Sequence, residues 1–439
     1  AETHMAVTAE PGSRVNAQGR HPGEPALEKR CAREPLMATL VDLLKADTRA
    51  LPQSRTVPSS PGQLRLGARL VANLRARGFD SRQREDGVVI TCVPATAGCE
   101  EVPHLTFLAH LDTAPDYPGA GGVELIENYS GAPVALAGGA LVLDEQICPE
   151  LAAHHGDDLL VTDGLTLLGA DDKSGDAEIM TALERIITEN ISHGPISIGF
   201  TPDEEIGEGA DFFDVAGFGA RYAYTVDGGD IDEIEYENFN ASAATVTVKG
   251  LSVHPGSAKD TMINAQNVAM EFHMALPSGE RPEYTEGREG FFHLTGMEGS
   301  VSLAKLTYIV RDHDREKFEA KKRLLTEIAG RLNNKYGEGV VSVEQRDQYY
   351  NMLEKIEPHM HLIEVAKQAM MEAGIEPVSI PVRGGTDGAR LSYEGLPCPN
   401  LGTGGFNFHG EYECITAERM DRVVDGIVNI VKKYSGMSV

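Results

Sequence analysis

The 439-residue chain has no tryptophan and only 6% aromatic residues, which leaves few of the stacking platforms that hold single-stranded nucleic acid. Positive charge is scarce as well. Lys and Arg total 39 against 67 Asp and Glu, a formal net charge of −28, and a field of that sign repels phosphate backbones and anionic membrane surfaces. Nucleic acid and membrane are thereby excluded as expected partners. Long apolar runs are missing too: stretches such as Leu105 to Ala109 fall far short of the roughly 20 residues that a membrane-spanning helix needs. Cys31, Cys92, Cys99, Cys148, Cys398 and Cys414 show no CxxC spacing, so neither a disulfide framework nor a thiolate metal site is indicated. With no basic-then-apolar leader, the expected compartment is the cytoplasm.

What is present is the balance of a globular enzyme, 41% hydrophobic and 24% charged. The length predicts two compact units. Residues 1–33, with Pro11, Gly12, Gly19, Pro22, Gly23 and Pro25 close together, predict a disordered tail, Ala1 to His4 ahead of Met5 being a tag remnant. Apolar residues at helical spacing follow over Pro35 to Ala46, and Ser59-Ser60-Pro61 reads as a cap and first-turn proline for a helix stopped by Gly78.

Strands at Val88 to Val93, Leu105 to Leu111, Ile196 to Thr201 and Tyr222 to Val226, with a helix over Asp176 to Glu189, predict a largely parallel α/β sheet with helices on both faces. The Gly-, Ala- and Pro-rich stretch 114–168 reads as a surface excursion. From 240 to 350 the order changes to βαββαβ, the ferredoxin-like α+β arrangement, which predicts a domain inserted into the first. The expected catalytic domain is therefore 34–239 together with 351–439.

The chemistry clusters where strands end, the usual place for functional groups in open α/β sheets. His110-Leu111-Asp112 offers an imidazole ligand and a carboxylate to order it. Asp171 and Asp172 stand in Gly169-Ala170-Asp171-Asp172-Lys173-Ser174-Gly175, just before a helix, where an ordinary cap is an equal explanation. Asp203-Glu204-Glu205 leaves an apolar strand, and three acids there are costly without a cation. Asp227 in Val226-Asp227-Gly228-Gly229 and His409 in the Gly404 to Gly410 loop complete the set. Such mixed nitrogen and oxygen donors suit zinc, with manganese or cobalt as substitutes. Five ligands for two ions require one bridging carboxylate, and Glu204 is left over as a base that moves a proton from water to a leaving amine.

These motifs, HLDT, GADDKSG, TPDEEIG, VDGG and the late His409, occur in an order similar to that of the two-zinc metallopeptidases of the aminoacylase and carboxypeptidase G superfamily. Within it the chain resembles the tripeptide aminopeptidase (peptidase T) family, also through Ile126-Glu127-Asn128-Tyr129, His254-Pro255-Gly256, Tyr349-Tyr350-Asn351-Met352 and Arg383 to Ala389. The resemblance covers residue 36 to the C-terminus. It implies two zinc ions per subunit held by His110, Asp171, Glu205, Asp227 and His409, with Asp171 bridging and Asp112 and Glu204 catalytic. It further implies a cis peptide after Asp171, and His254, Asn264, Arg311 and Arg383 facing the substrate.

The activity so implied is release of the N-terminal residue of a tripeptide by a metal-bridging water, with Glu204 as general base and then acid. The inserted domain would act as a lid over a short peptide, in a monomer or a homodimer. An N-acyl-amino-acid amidohydrolase or dipeptidase keeps the same chemistry, a non-catalytic metal or peptide binder has no need of Glu204, and calcium fits two His ligands poorly.

Overall fold

The computed structural model of the chain describes residues 23–437, so the expected tail lies outside the described residues as far as position 22. Over its remainder the structure corrects the expectation: Glu24–Cys31 is a helix whose Leu27 is buried and whose Arg30 pairs with Glu34 and Asp158. Two compact units are present. One comprises Ala1–Ile234, His359–Ser379 and Glu394–Val439, the other Glu235–Pro358 and Ile380–Tyr393. Beside the expected insert of 240–350, the second unit starts earlier and takes in a later segment that carries Arg383.

The first unit is built on a mixed sheet. Its strands run in the order Asp80–Gln83, Val89–Val93, Ile196–Thr201, Leu105–His110, Tyr222–Val226 and Asn400–Leu401, and Glu233–Asn238 and Val378–Val382 complete it as the chain crosses the unit boundaries. The strands from Ile196–Thr201 to Asn400–Leu401 are parallel to one another, and Val89–Val93 is antiparallel to the strands on both its sides. Ile196–Thr201, Leu105–His110 and Tyr222–Val226 are buried at every position; strands without an exposed face need cover on both sides. Helices Pro61–Ala76, Ala170–Thr188, His361–Glu372 and Ala417–Ser435 provide much of that cover, the last burying Val423, Val424, Ile427, Ile430 and Val431 along one stripe.

The stretch 114–168 is more ordered than its composition predicts. Val123–Ile126 and Leu159–Thr162 join Cys414–Thr416 and Gly405–Phe406 in a second sheet, over a cluster that includes Tyr129, Leu143, Leu151 and Phe406. Strands of two to four residues show too few alternations for periodicity to reveal them.

The second unit has the expected βαββαβ order. Its antiparallel sheet runs Phe291–Gly299, Leu303–Asp312, Asn240–Lys249, Val341–Tyr349, with helices Ala265–Met274 and Arg315–Tyr336. In Leu303–Asp312 burial alternates, and Ala304, Leu306, Tyr308 and Val310 join Phe272, Phe318 and Leu325 in one core. A single apolar face packed on helices is what period-two patterning encodes.

Candidate metal centre

Three adjacent parallel strands end together, which brings their last residues within a few ångströms because neighbouring strands lie about 4.8 Å apart. His110 closes the middle strand and pairs in register with Thr201, from which the chain turns into Asp203, Glu204 and Glu205. On the other side Tyr222–Val226 delivers Asp227. Asp171 comes from the start of Ala170–Thr188, where Asp171 and Asp172 depart from helical geometry and their peptide bond is cis, as the resemblance implies. Gly175 lets this helix approach the Asp227 strand: a Cβ there would lie 2.2 Å from the Val226 carbonyl oxygen. His409, at φ 69°, stands between Gly405–Phe406 and Cys414–Thr416 and is so placed by the second sheet.

The side chains converge. His110 is 2% exposed, and its Nδ1 donates to Asp112, 3.1 Å from Oδ1. That leaves Nε2 facing Asp171 Oδ1 at 3.1 Å, Asp227 Oδ1 at 3.4 Å and Glu204 Oε2 at 3.5 Å. The other oxygen of Asp171 is 3.0 Å from His409 Nε2, which is also 3.1 Å from Glu205 Oε1. Each Asp171 oxygen thus serves one histidine, the arrangement of a bridging carboxylate. Asp112 also accepts the backbone N–H groups of Glu204 at 3.1 Å and Glu205 at 3.0 Å.

Crowding of negative charge governs the electrostatics. Burial pushes Glu205 up to about 7, with the Asp171 charge adding to the rise and His409 opposing it. Asp227 is raised by burial and by Asp171. Burial alone would push the His110 ring down, yet Asp227, Asp112 and Glu204 hold it well above its ordinary value. His409 is pushed up to about 11 by its hydrogen bonds to Asp171 and Glu205. The carboxylates therefore call for positive charge between them. Donor atoms of His110, Asp171 and Glu205, of His110, Glu204 and Asp227, and of Asp171, Asp172 and Asp227 lie within 4.8 Å of one another in each group. Imidazole nitrogens opposed by carboxylates around a shared Asp171 fit a pair of divalent cations.

Two further acids hold this set in place, Asp172 within a quoted motif and Glu413 outside all of them. Glu413, 1% exposed, accepts the N–H groups of Gly169 at 2.7 Å and Asp171 at 3.0 Å. Asp172 accepts the His110 N–H at 3.0 Å. Glu413 is an isolated acid in Glu411-Tyr412-Glu413 and carries no signal in sequence; only the return of Cys414–Thr416 beside Leu159–Thr162 reveals its role.

The four expected substrate contacts belong to the second unit, and each has partners there. The exposed His254 accepts the Gly256 N–H through Nδ1 at 3.0 Å. Asn264 caps Ala265–Met274 by accepting from Gln266. Arg311 donates to the carbonyls of Ser242 and Val310 and to Gln348, over the Tyr349 ring. The exposed Arg383 donates to Gly287 and Glu289 carbonyls and to Thr285, beside Phe239 and Phe291.

Imidazoles and carboxylates converging at the carboxyl ends of such a sheet define a metal-binding hydrolase. Residues 236–340 match the peptidase dimerisation domain of the M20 family. Peptidase T of Clostridium perfringens strain 13 is 51% identical over 398 residues, covering 90% of this chain and 98% of that protein. Among solved structures, aminopeptidase PepT from Bacillus cereus superposes with a TM-score of 0.71 at 22% identity, covering 91% of this chain and 98% of that one. A dinuclear metal binding peptidase of the M20 family from Bacillus subtilis gives 0.64 at 15%, covering 94% and 100%. The chain belongs to the peptidase T family, and it is a peptidase of the M20 type with the fold of that family.

Proposed function

We propose that the chain is an aminopeptidase that releases the N-terminal residue of tripeptides in the cytoplasm, using two zinc ions. The observation that carries this reading is the Asp171 carboxylate, with one oxygen on His110 and the other on His409, and a further acid, Glu204, on the same imidazole as Asp227. His110, Asp171 and Asp227 would hold one cation, and Asp171, Glu205 and His409 the other, with manganese or cobalt as substitutes. When bound, such a pair supplies an acidified water and an electrophilic pull on the scissile carbonyl.

The remaining work falls to the chain. Asp112 keeps the proton of His110 on Nδ1 and so leaves Nε2 as the donor atom. Glu204, with about a quarter of its side chain exposed at 23%, takes a proton from the attacking water and returns it to the departing amine. In the second unit His254, Asn264, Arg311 and Arg383 are the proposed peptide contacts; the two arginines suit a terminal carboxylate. Similarity to proteins named peptidase T supports the tripeptide preference.

Steady-state assays with Leu-Gly-Gly, Leu-Gly and N-acetyl-leucine test the reading. Turnover of Leu-Gly-Gly well above the other two is expected. Turnover of N-acetyl-leucine alone would replace the aminopeptidase with an N-acyl-amino-acid amidohydrolase.

A further inference from the structure

Glu204 follows Asp203, which stands at φ 58° and ψ 30° with a fully buried side chain. The left-handed conformation turns the chain out of Ile196–Thr201 and into the short turn that carries Glu204 and Glu205. Three neutral donors converge on the Asp203 carboxylate. The Ser59 N–H reaches Oδ2 at 2.7 Å, while Ser59 Oγ and Gln63 Nε2 reach Oδ1 at 2.5 and 2.7 Å. Gln63 also uses its other end, accepting the Asp203 backbone N–H on Oε1 at 3.0 Å.

Ser59 and Gln63 are 3% and 0% exposed, so these bonds are shielded from water. The sequence assigns Ser59-Ser60-Pro61 to capping a helix, yet Pro61–Ala76 has no side-chain cap from Ser60, and the Ser59 hydroxyl is turned to Asp203 while it accepts the Leu51 N–H at 2.9 Å. Both polar side chains thus bond one residue beside the site, Gln63 Nε2 also donating to Ser60 Oγ at 3.0 Å.

We propose that Ser59 and Gln63 are positioning residues for Glu204. By gripping Asp203 through both its carboxylate and its backbone, they fix the dihedral angles from which the Glu204 side chain is projected. Asp112 holds the far side of the turn through the Glu204 and Glu205 N–H groups, so the turn is clamped at both ends. A base has to lie within hydrogen-bond reach of its proton, and a misplacement of about 1 Å can cost ~10²-fold. The inference rests on the reading of Glu204 as the base.

The test uses the full-length, metal-loaded enzyme with Leu-Gly-Gly. Gln63→Met should lower kcat by roughly 10- to 100-fold with KM and bound metal unchanged. In a Glu204→Gln background the same substitution should cost nothing further, because groups that act through one another are not additive. Gln63→Glu and Asp203→Asn each set like against like, whereas together they restore one donor opposite one acceptor; the pair should recover most of the kcat that either single variant loses.

Wild-type kcat in Gln63→Met, a multiplicative loss in the Glu204→Gln background, or loss of a metal equivalent would each overturn the inference. Should Gln63→Met fail to fold, Ser59→Ala and the exchanged pair carry the same comparison. Full activity in Glu204→Gln alone would sink the reading of Glu204 as base, whereas a large loss there with none in Gln63→Met sinks only the positioning role.

Discussion

The second unit and the candidate metal centre of the first treat charge in opposite ways. In the second unit, charged groups are neutralised where they stand: Lys321 meets Asp312 and Glu280, Lys322 meets Asp347, and Arg311 and Arg383 are spent on carbonyl oxygens. At the candidate metal centre, Asp171, Glu204, Glu205 and Asp227 crowd around the imidazoles of His110 and His409. Stability suffices to explain the pattern of the second unit. That of the metal centre makes sense only if something positive binds, because burying like charges together otherwise costs several kcal/mol.

Variants can break this contrast. Asp171→Ala removes the carboxylate shared by both imidazoles, and both metal equivalents should be lost with all measurable turnover, as elemental analysis and a Leu-Gly-Gly assay would record. Glu204→Gln should keep both metals while kcat falls by about 10²- to 10⁴-fold. Loss of metal in that variant would make Glu204 a ligand, which its 3.5 Å approach to His110 leaves geometrically open. Asp112→Asn frees the His110 tautomer and should weaken metal affinity or activity by about 10- to 100-fold, measured by competition with a chelator.

The core of the second unit should respond in stability. Phe318→Ala opens a cavity in its fully buried core and is expected to cost about 3–5 kcal/mol in denaturant unfolding, with metal content intact below the transition. The smallest effect concerns His313. Burial pushes it down to about 4, with Arg288 and Arg383 adding to the fall against Glu237. A ring kept neutral in the fold but protonated near pH 6.5 when unfolded contributes stability above about 6.5, which is lost as pH falls toward 4. His313→Phe should flatten the stability profile of this unit across that window; an unchanged slope would remove His313 from the account.

Much of the architecture was legible because the relevant periodicities are strong. Ile196–Thr201 and Tyr222–Val226 have the bounds their sequence indicates, and the βαββαβ order follows from long alternating strands around two helices. The candidate metal donors stand out in sequence for a different reason: His110, Glu205 and Asp227 end or closely follow buried strands, and Asp171 opens a helix.

What escaped depends on long-range return of the chain. The Leu159–Thr162 sheet is made of fragments too short to show a period. The helix Glu24–Cys31 lies in a stretch whose prolines and glycines suggested a tail. Within Pro61–Ala76 the apolar Leu64 is 37% exposed, whereas the polar Gln63 is fully buried and serves Asp203. Nothing local to Gln63 or Glu413 announces a partner more than a hundred residues away.

The distance along the chain between the two histidines has a consequence for synthesis. His110 and Asp171 are made early, whereas His409 reaches Asp171 across 238 positions of sequence. On the proposed donor set, a nascent or prematurely ended chain that stops before residue 409 lacks one of the two imidazoles that share Asp171.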